Sequence, residues 1–502
     1  MSDRALTRRG LLGAGAGAAA GAAVLAGAAD ADAAKRRAPK KKRKRAARPR
    51  AVDTVVVGAG ISGLTAARRL AAKGRSVVVL EARDRVGGRT LNHDVAPGRP
   101  VEAGGEYVGP TQNRVTAVCR ELGVGIYEAY TKGDNSYIAD GRVQRYTGDI
   151  PPEPASLLAL NDVLTGVNDI AHSLSVEDPG GHPRAAEWES DTVASWLRSK
   201  TALVDTPRVR QLVESLIEPS FGAANSEVTL LLLARFVAGA GDENHVGTIE
   251  RMLGSKGGAQ DSRILGGSQL ISFGLAEGLQ VVLGAPVRRI EQANGSATVV
   301  SDKGTWKAKN VVVAIPPPLA GAIDFRPGLP TEHRQLLQRS PMGALMKIEA
   351  VYDKPFWRDE GLSGAAVAVD DGGPCKVLFD NTPPEGSPGV LFGFCGGANW
   401  RRWAGRPVTQ RKAAALQQFA HYTGSRALKA IDYFEQDWAR EPWSAGGPVA
   451  LPGPGTLSGY GSWIRRPHGV VHWGGTETSD YGAGFMDGAV RAGERVAREV
   501  GA

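Results

Sequence analysis

The chain of 502 residues is too long for one small hydrophobic core, so we expect two domains, or one large domain with insertions. Its formal charge of +9 is local, because residues 35–50 alone hold 11 Lys or Arg and no acidic residue, which leaves the remainder near neutral. The folded part of the protein therefore offers no electrostatic reason to expect nucleic-acid binding.

The first 34 residues have the pattern of a targeting segment. A twin-arginine motif at Thr7–Leu12 precedes a weakly hydrophobic Gly/Ala stretch, and residues 29–33 offer small-x-small cleavage sites. We expect a twin-arginine signal peptide over 1–34, with export of the folded protein to the periplasm, cell surface or medium. The low hydrophobicity of this Gly/Ala stretch argues against a stable membrane span. The alternative interpretation is a disordered Ala/Gly tail.

The basic run at 35–50 and the three cysteines both have simple interpretations. The basic run predicts a disordered, solvated linker, or an arm toward anionic cell-surface polymer. Its segment 39–45 resembles a nuclear import signal, but the preceding export signal argues against that function. Cys119, Cys375 and Cys395 fit no metal spacing, so we predict buried small hydrophobic residues and no metal site.

Residues 53–81 have the pattern of a strand, a turn, a helix and a second strand. Thr54–Val57 is a short apolar run, typical of a buried parallel strand. An apolar stripe at helical spacing follows and ends at Gly74, and Ser76–Leu80 is a second apolar run. This is the length that a βαβ crossover needs.

The turn of this unit carries Gly58, Gly60 and Gly63 at G-x-G-x-x-G spacing. The first glycine permits a tight turn, the second lets the backbone approach a pyrophosphate, and the third lets helix and strand pack closely. Glu81 ends the second strand, where a carboxylate can accept both ribose hydroxyls of an adenosine. The pattern therefore predicts a turn that binds a dinucleotide rather than a glycine-rich turn without a ligand.

The rest of the chain divides into glycine-rich, helical and strand-rich parts. A second glycine-rich loop at 102–114 indicates a ligand larger than one nucleotide. Amphipathic runs from 151 to about 244 predict an inserted helical region. We expect helices at Val115–Leu122, Ala155–Leu174, Val193–Ser199, Val209–Ile217 and Glu227–Ala238, and strands at 127–146, Val281–Val287, Val311–Ile315, Leu345–Tyr352 and Val470–Trp473.

Eight motifs in this order resemble the bacterial type of the flavin-containing monoamine oxidase family, from about residue 53 to 500. The motifs are VGAGISGL (57–64), EARDRVGGRT (81–90), GGEYVGPTQNR (104–114), GGAQDSR (257–263), AIPP (314–317), MGALMK (342–347), GGTET (474–478) and GFMDGAVRAGER (484–495). The resemblance implies FAD and an α/β fold, with a doubly wound, Rossmann-type FAD-binding domain assembled from separated segments and an α+β substrate domain. The implied FAD-binding segments are 51–150, 251–320 and 446–502, and the implied substrate-binding segments are 151–250 and 321–445.

The resemblance also implies which residues contact the cofactor. Glu81 would hold the adenosine ribose, and Val287 would present its backbone to the adenine. Glu477 and Met486 would flank the ribityl chain and the pyrimidine edge of the flavin. The predicted cofactor-binding residues are Gly58, Gly60, Ser62, Gly63, Glu81, Ala82, Arg83, Gly88, Arg89, Gly105, Glu106, Tyr107, Val287, Glu477 and Met486.

The implied reaction removes a hydride equivalent from the carbon that bears a neutral amine and reduces O2 to hydrogen peroxide. The imine product is then hydrolysed to an aldehyde and ammonia. Lys347 is the implied catalytic residue, because a lysine at this motif position in the family reaches the flavin N5 through a water and assists oxygen reduction. The alternative interpretation of Lys347 is an exposed strand lysine. The expected partners are a small-molecule amine and O2, and we allow for a homodimer.

Three positions depart from the family pattern. Gly447 stands where members with covalently bound flavin have a cysteine, so we predict that FAD is held non-covalently. Pro448 and Phe485 stand where two tyrosines commonly align the amine, so a preference for simple aromatic monoamines does not follow. The predicted substrate-binding residues are Gln260, Phe485, Pro448, Trp438 and Phe394. A loop-closing role for Gln260 and core roles for Trp438 and Phe394 stay open.

Several rival functions use the same motifs. An L-amino-acid oxidase needs an arginine to clamp the substrate carboxylate, and a polyamine oxidase needs a distal acid for the second ammonium. Arg235, Arg263, Glu218 and Glu243 are the candidates for these roles. A flavin desaturase or mutase would share the first and last motifs but not the Lys347 segment. The only feature that favours a non-catalytic flavin-binding protein is the presence of Pro448 and Phe485 where the family commonly has two tyrosines.

Overall fold

The structure is a computed structural model that describes residues 49–501. The predicted signal peptide and all but the end of the predicted basic linker lie outside these residues. The first strand begins at Arg50, so the linker that we predicted to run to residue 50 ends slightly earlier. Within the described part of the chain, no helix is both long and apolar enough to cross a membrane.

Twenty strands are formed within residues 49–501. In chain order they are β1 (Arg50–Val57), β2 (Val77–Leu80), β3 (Asn92–Ala96), β4 (Arg99–Glu102), β5 (Tyr107–Val108), β6 (Ile126–Glu128), β7 (Asp134–Ala139), β8 (Arg142–Tyr146), β9 (Ser262–Ile264), β10 (Gln280–Val282), β11 (Val287–Ala293), β12 (Ser296–Ser301), β13 (Gly304–Val313), β14 (Asp324–Arg326), β15 (Leu345–Tyr352), β16 (Leu362–Ala368), β17 (Val377–Asp380), β18 (Gly389–Gly396), β19 (Asp432–Asp437) and β20 (Val471–Trp473).

The same residues form sixteen α-helices and five short 3-10 helices. The α-helices are α1 (Ile61–Ala72), α2 (Asn113–Glu121), α3 (Pro154–Ser173), α4 (Ala185–Ser190), α5 (Val193–Arg198), α6 (Pro207–Phe221), α7 (Leu230–Ala238), α8 (Ile249–Leu253), α9 (Gln269–Ala276), α10 (Pro317–Ala320), α11 (Thr331–Gln338), α12 (Phe356–Asp359), α13 (Gly397–Trp403), α14 (Val408–Thr423), α15 (Leu457–Tyr460) and α16 (Met486–Gly501). The 3-10 helices are Pro179–Gly181, Ser425–Lys429, Trp438–Arg440, Gly461–Trp463 and Thr476–Thr478.

The first sheet joins eight strands in the order β10-β2-β1-β13-β12-β11-β14, and β20 also pairs with β13. Strand β1 runs parallel to β2 and β13, and both of its faces are buried, as expected for a central parallel strand. Val56 packs in one core with Leu64 of α1 and Val490 of α16, while Val55 and Val57 belong to the core of the opposite face. Because its strands come from the beginning, middle and end of the chain, the predicted assembly from separated segments is confirmed.

The turn between β1 and α1 has the geometry that the glycine spacing predicts. Gly58 has a φ of +102°, a backbone conformation that favours glycine. A Cβ at Gly63 would lie 2.0 Å from the carbonyl oxygen of Gly58, so only glycine lets α1 pack this closely against the turn. Beyond the end of α1, Gly74 has a φ of +75° and turns the chain toward β2.

The second sheet has seven strands in the order β19-β15-β18-β17-β16-β7-β8. Its pairings are antiparallel except that β7 and β16 run parallel. Strands β7 and β8 lie in the segment 51–150, which we assigned to the first domain, yet they extend the sheet built from residues 345–437. The division of the chain into two domains stays a prediction.

Strand β15 is buried over its whole length. Met346, Ile348 and Ala350 belong to an apolar core shared with α14, whereas Lys347 and Glu349 point to the other face. Alternation along the strand predicted at Leu345–Tyr352 places Lys347 and Glu349 on one face and Met346, Ile348 and Ala350 on the other, and this placement is confirmed. The alternative interpretation of Lys347 as an exposed strand lysine is wrong, because its side chain is only 1% exposed.

Several boundaries differ from the sequence prediction. Strand β13 begins at Gly304 rather than at Val311, and helix α6 continues to Phe221 rather than ending at Ile217. Two further differences have a clear physical cause. The predicted strand Val281–Val287 is two strands, β10 and β11, because Pro286 cannot donate a ladder hydrogen bond and the amides before it turn away from the sheet. Ala285 donates its amide hydrogen to the Glu81 carbonyl at 2.7 Å. Helix α7 begins at Leu230, later than predicted, because Thr229 caps it by accepting from the Leu232 amide at 3.2 Å.

Candidate active site

A cavity of about 1100 Å³ connects the first sheet with the helical region and the second sheet. One end lies at the carboxyl ends of β1, β2 and β13, where Val57, Leu80 and Ala314 line it. This is where doubly wound sheets bind their ligands. The other end reaches α3, α6 and β16 to β18. Pockets for drug-sized ligands have volumes of roughly 300–1000 Å³, so this cavity has room for a dinucleotide together with a small substrate.

The predicted site residues meet at this one cavity. Lys347, all five predicted substrate-binding residues and every predicted cofactor-binding residue except Gly63 line it. Gly63 is covered by the Gly58 carbonyl instead, in agreement with the packing role of the third glycine. The separate motifs therefore form one continuous site, while the contact that each residue makes in the loaded enzyme stays a prediction.

Glu81 is held in place at the end of β2 by backbone donors. Its carboxylate accepts from the Ala59 amide at 2.7 Å and from the Arg83 amide at 2.9 Å, and the side chain is almost fully buried. Charge-assisted hydrogen bonds of this kind fix the orientation of a carboxylate. Ala82 and Val287 line the cavity beside it. This end of the site thus offers an oriented acceptor for the hydroxyls of a ribose.

Next to Glu81, the start of α1 and the guanidinium of Arg83 provide a place for a pyrophosphate. Gly60 caps α1 without any side-chain hydrogen bond, so the helix amides are open toward the cavity. The guanidinium of Arg83 donates to Ser444 Oγ at 2.7 Å, but its buried Nε has no hydrogen-bond partner. Gly88 approaches so closely that an added Cβ would lie 3.3 Å from the Cα of Gly60. An anionic group suits this arrangement.

Arg89 and Glu477 form an ion pair that lines the cavity. Arg89 donates to the Pro448 carbonyl at 2.8 Å and pairs with Glu477 at 3.1 Å. Arg235, which does not line the cavity, stabilises this pair because its guanidinium donates to the Glu477 backbone carbonyl at 2.8 Å. Met486 begins α16 at the same place. The C-terminal motifs are thereby fixed to the first glycine-rich segment.

A buried group of charges surrounds Lys347, and we call Glu102, Glu106, Arg263, Lys347 and Glu349 the Lys347 cluster. The Lys347 ammonium donates to the Glu106 carboxylate and the Glu102 carbonyl, and lies 3.6 Å from Glu349 Oε1. Arg263 donates to the Glu102 carboxylate at 2.5 Å. All five side chains are nearly inaccessible to solvent, which makes their charges strongly interdependent.

The pKa values of the acids in this cluster are shifted by their burial. Burial raises the pKa of Glu349 to about 7, although the Lys347 ammonium acts in the opposite direction. Burial likewise raises the pKa of Glu106, again opposed by Lys347. The pKa of the neighbouring Tyr107 hydroxyl is raised well above its usual value for the same reason. Perturbed groups of this kind beside a cavity are typical of catalytic sites.

No thiol lines the cavity. Cys119, Cys375 and Cys395 are free and buried, which confirms the predicted state of the three cysteines. At Gly447 an added Cβ would touch only the Trp438 side chain, at 3.5 Å, so the position has space but no nucleophile. Trp438 both lines the cavity and donates to the Ala103 carbonyl at 3.0 Å, which combines the two roles that the sequence left open.

The substrate end of the cavity is mainly apolar. Besides Phe394 and Phe485, its walls include the side chains of Leu160, Leu164, Leu216, Phe236, Met252 and Leu378. Sequence reasoning did not identify these six residues as site residues. Their helical or strand spacing predicts only that they are buried, and a side chain facing a core has the same spacing as one facing a cavity.

None of the four charged residues considered for substrate binding lines the cavity. Arg235 and Arg263 bind Glu477 and Glu102, respectively. Glu218 accepts from the Gly396 amide at 3.3 Å, and Glu243 pairs with Arg491 at 2.8 Å.

The acids that do line the cavity are engaged elsewhere or lie at its rim. Asp380 accepts from Trp357 and Arg358, each at 2.8 Å, and Glu106 binds Lys347. Asp149 and Glu250 are exposed residues at the solvent side of the helical region. Among residues 49–501, therefore, no free carboxylate or guanidinium faces a substrate at the apolar end of the cavity.

The doubly wound sheet, the glycine-rich helix start and the buried lysine beside a mainly apolar cavity define a dinucleotide-dependent oxidoreductase. Comparison with known proteins gives the family. The model of the family described as flavin containing amine oxidoreductase matches residues 61–501. The chain therefore belongs to this family, and it is an FAD-dependent amine oxidase.

Individual relatives agree with this assignment. AofH of Mycobacterium tuberculosis, which is assigned as a flavin-containing monoamine oxidase, is 40% identical over 457 residues, covering 90% of this chain and 97% of AofH. Flavin-containing amine oxidase B of Cavia porcellus is 36% identical over 454 residues, covering 89% and 86% of the two chains.

Solved structures give the same result. Cyclohexylamine oxidase from Brevibacterium oxydans IH-35A superposes with a TM-score of 0.84 at 34% identity, covering 89% of this chain and 98% of that enzyme. Wild-type putrescine oxidase bound to putrescine superposes with a TM-score of 0.83 at 33% identity, covering 90% and 99%. The predicted family, fold class, cofactor and reaction class are confirmed.

Proposed function

We propose that this enzyme oxidises apolar monoamines, and that it is neither an amino-acid oxidase nor a polyamine oxidase. The observation that carries the proposal is the apolar end of the cavity, which none of Arg235, Arg263, Glu218 and Glu243 lines. The two structural relatives are named for cyclohexylamine, an apolar ring amine, and for putrescine, a diamine. The absence of an available carboxylate at the apolar end among residues 49–501 favours the first kind of substrate.

One set of residues would bind the cofactor. When bound, FAD would accept the hydride equivalent from the C–H bond of the carbon that bears the amine, and would pass the electrons on to O2. Glu81, Arg83, Arg89 and the start of α1 would hold it, because they offer an oriented acceptor, cationic donors and free amides.

The substrate is handled by a different set of residues. The leucine, methionine and phenylalanine walls exclude water and bind the apolar group of the amine. Gln260, which lines the cavity, can orient the amino group by hydrogen bonds. Lys347 places a positive charge beside the reacting centre.

A matched pair of substrates tests the proposal. n-Butylamine and putrescine have the same carbon chain and differ by one ammonium group. We expect kcat/KM for n-butylamine to exceed that for putrescine by at least about 100-fold, since a buried charge without a partner costs about 3–5 kcal/mol. Peroxide release measures both rates, with cyclohexylamine and L-leucine as further substrates. Equal or faster turnover of putrescine or L-leucine would contradict the proposal.

The attachment of FAD is a separate prediction. Because position 447 is glycine and no cysteine lines the cavity, denaturation is expected to release essentially all of the flavin. Filtering acid-denatured holoenzyme and comparing the absorbance of filtrate and pellet measures the released fraction, with free FAD as the control. Flavin that stays with the pellet would show a covalent bond and refute the argument from Gly447.

We further propose export by the twin-arginine route, which rests on the sequence of residues 1–34. Replacing Arg8 and Arg9 together by lysine is expected to keep the protein in the cytoplasm, because it removes the guanidinium pair while preserving charge. Cell fractionation with immunoblotting measures the distribution. Lys35→Ala, which lies beyond the predicted signal peptide, is the control and is expected to be exported normally. Unchanged export of the double variant would exclude this route.

A further inference from the structure

The Lys347 cluster holds a carboxylate that the reaction as described does not use. Glu349 lies on the same strand and face as Lys347, is fully buried and does not line the cavity. Glu106 approaches the same ammonium from a loop that does line the cavity. The Lys347 ammonium thus has one carboxyl group on its cavity side and a second one behind it, with Glu349 Oε1 at 3.6 Å.

The charges of the cluster do not balance when every group is ionised. Arg263 and Lys347 supply two positive charges, while Glu102, Glu106 and Glu349 would supply three negative ones. An uncompensated buried charge is costly, so the cluster retains one proton on a carboxyl group. Glu102 and Glu106 each contact a cation closely, whereas the closest hydrogen-bond partner of Glu349 is a neutral amide.

That amide suits both protonation states of Glu349. Asn381 Nδ2 donates to Glu349 Oε2 at 3.1 Å, and Asn381 Oδ1 is buried without a partner. Turning the amide over exchanges its donor and acceptor, so Asn381 can serve the carboxylate by donating or the neutral acid by accepting. Glu349 Oε1 also lacks a hydrogen-bond partner, so this oxygen can take up a proton without breaking an existing hydrogen bond.

We propose that Glu349 is a positioning residue for amine oxidation, which controls how far the Lys347 ammonium is held toward the cavity by gaining or losing the spare proton of the cluster. As a neutral acid, Glu349 leaves the ammonium to Glu106 on the cavity side. As a carboxylate, it competes with Glu106 and draws the ammonium back along β15. This inference rests on the predicted role of Lys347 in oxygen reduction.

The surroundings of Glu349 set the direction of the pH effect. Glu349 is faced by Lys347 from its own strand, by Glu102 at the end of β4, by Glu106 from the loop that follows, and by Asn381 after β17. Its partners in the paired strands are Phe392 of β18 and Phe434 of β19. Arg263, Tyr107 and Tyr127 lie around Glu102 and Glu106. Because burial raises the pKa of Glu349 to about 7, the carboxylate forms as the pH rises through neutrality. Reoxidation of the reduced enzyme by O2 is therefore expected to slow over that range.

The first test measures reoxidation, which involves no amine and so no titration of substrate. Wild-type holoenzyme is reduced with dithionite and mixed with O2 between pH 5.5 and 8.5. An opposite charge about 4–6 Å from an ionisable group shifts the pKa of that group by roughly one unit or more, which is a tenfold change in an equilibrium constant. We expect an effect of the same size on reoxidation, about a tenfold fall in rate with a midpoint near neutrality. In Glu349→Gln, which keeps the shape and the bond from Asn381, the fall is expected to disappear.

Glu218→Gln is the matched control. Glu218 is also a buried glutamate with a pKa raised by burial, to about 8, but it lies on α6 outside the Lys347 cluster. Its variant is expected to retain the wild-type pH profile. A Glu349→Gln enzyme with the wild-type profile would overturn the proposal, and so would loss of the profile in Glu218→Gln.

The second test reads the proton directly and does not depend on turnover. Infrared spectra of holoenzyme carrying ¹³C-labelled glutamate report the C=O stretch of protonated carboxyl groups. The difference between the wild-type and Glu349→Gln spectra is expected to contain a band at pH 6 that fades on raising the pH to 8. The difference between the wild-type and Glu218→Gln spectra isolates the separate band of Glu218, whose pKa of about 8 keeps it protonated at pH 6 as well. The same spectrum in wild type and Glu349→Gln at pH 6 would overturn the proposal. This readout stays valid even where Lys347→Met leaves reoxidation unchanged, so the two roles are tested separately.

Discussion

Lys347→Met is expected to react with O2 in its reduced form about 100- to 1000-fold more slowly than the wild type, the loss usually found when one electrostatic stabiliser of developing charge is removed. The ammonium is buried, lines the cavity and is held by Glu106 and the Glu102 carbonyl, so its charge acts in a medium of low polarity. Methionine has a similar length and no charge. Stopped-flow mixing of reduced enzyme with O2 measures the rate.

The reduction of the enzyme by amine should change much less in the same variant, because negative charge develops on oxygen only in the second half of the reaction. Lys354→Met is the control, since Lys354 follows β15 but is exposed and pairs with Asp359 at 2.6 Å. It is expected to behave as wild type. Reoxidation at the wild-type rate in a correctly folded, FAD-loaded Lys347→Met enzyme would remove Lys347 from the catalytic machinery.

Gly63→Ala is expected to weaken FAD binding by at least about 100-fold, or roughly 2.7 kcal/mol, and to lower the melting temperature. The added Cβ would lie 2.0 Å from the Gly58 carbonyl oxygen and 3.2 Å from a Val56 methyl group. Because the nearest obstacle is backbone, α1 must move away from the turn, and its amides move with it. Fluorescence titration of apoprotein with FAD measures the affinity.

Gly459→Ala provides the comparison for this variant. Gly459 also lies in a helix, α15, but no heavy atom lies within 4 Å of the position that its Cβ would take. The substitution is expected to leave flavin content and melting temperature unchanged. Equal FAD affinity in Gly63→Ala and wild type would mean that the tight helix start is not needed for binding.

The cofactor half of the site could be predicted because its information is local. Gly58, Gly60, Gly63 and Glu81 lie within one strand–helix–strand unit, which requires these residue types for a tight turn, the approach of a pyrophosphate, close helix packing and a charged acceptor, respectively. The structure places this unit at the carboxyl edge of the first sheet with Glu81 bonded to the Ala59 amide. Little tertiary information was needed for that part.

The substrate half could not be predicted in the same way, since its shape depends on contacts between distant segments. Leu160, Leu216 and Leu378 come from two helices and a strand whose apolar spacing predicts burial alone. The pairing of β7 with β16 links residues more than two hundred positions apart, and no local pattern specifies it. This is why our segment 51–150 included two strands of the second sheet.

The Lys347 cluster illustrates the same limit at one strand. Alternation in β15 correctly predicted that Lys347 and Glu349 share a face. Whether that face is solvated or buried depends on Glu102 at the end of β4, on Glu106 in the loop that follows, and on Arg263 of β9, all far away in sequence. A charged strand face is usually solvated, and only the tertiary structure shows that this one is closed.

The composition of the first sheet has a consequence for the order of events during biosynthesis. Strand β20 pairs with β13, and α16 packs on α1, so the sheet and its covering helix require residues 471–501. A growing chain synthesised only as far as residue 470 has the glycine-rich turn but neither Glu477 nor Met486. The flavin site is therefore complete only after these segments have been made, and under the proposed export route the cofactor would be bound in the cytoplasm before the enzyme leaves the cell.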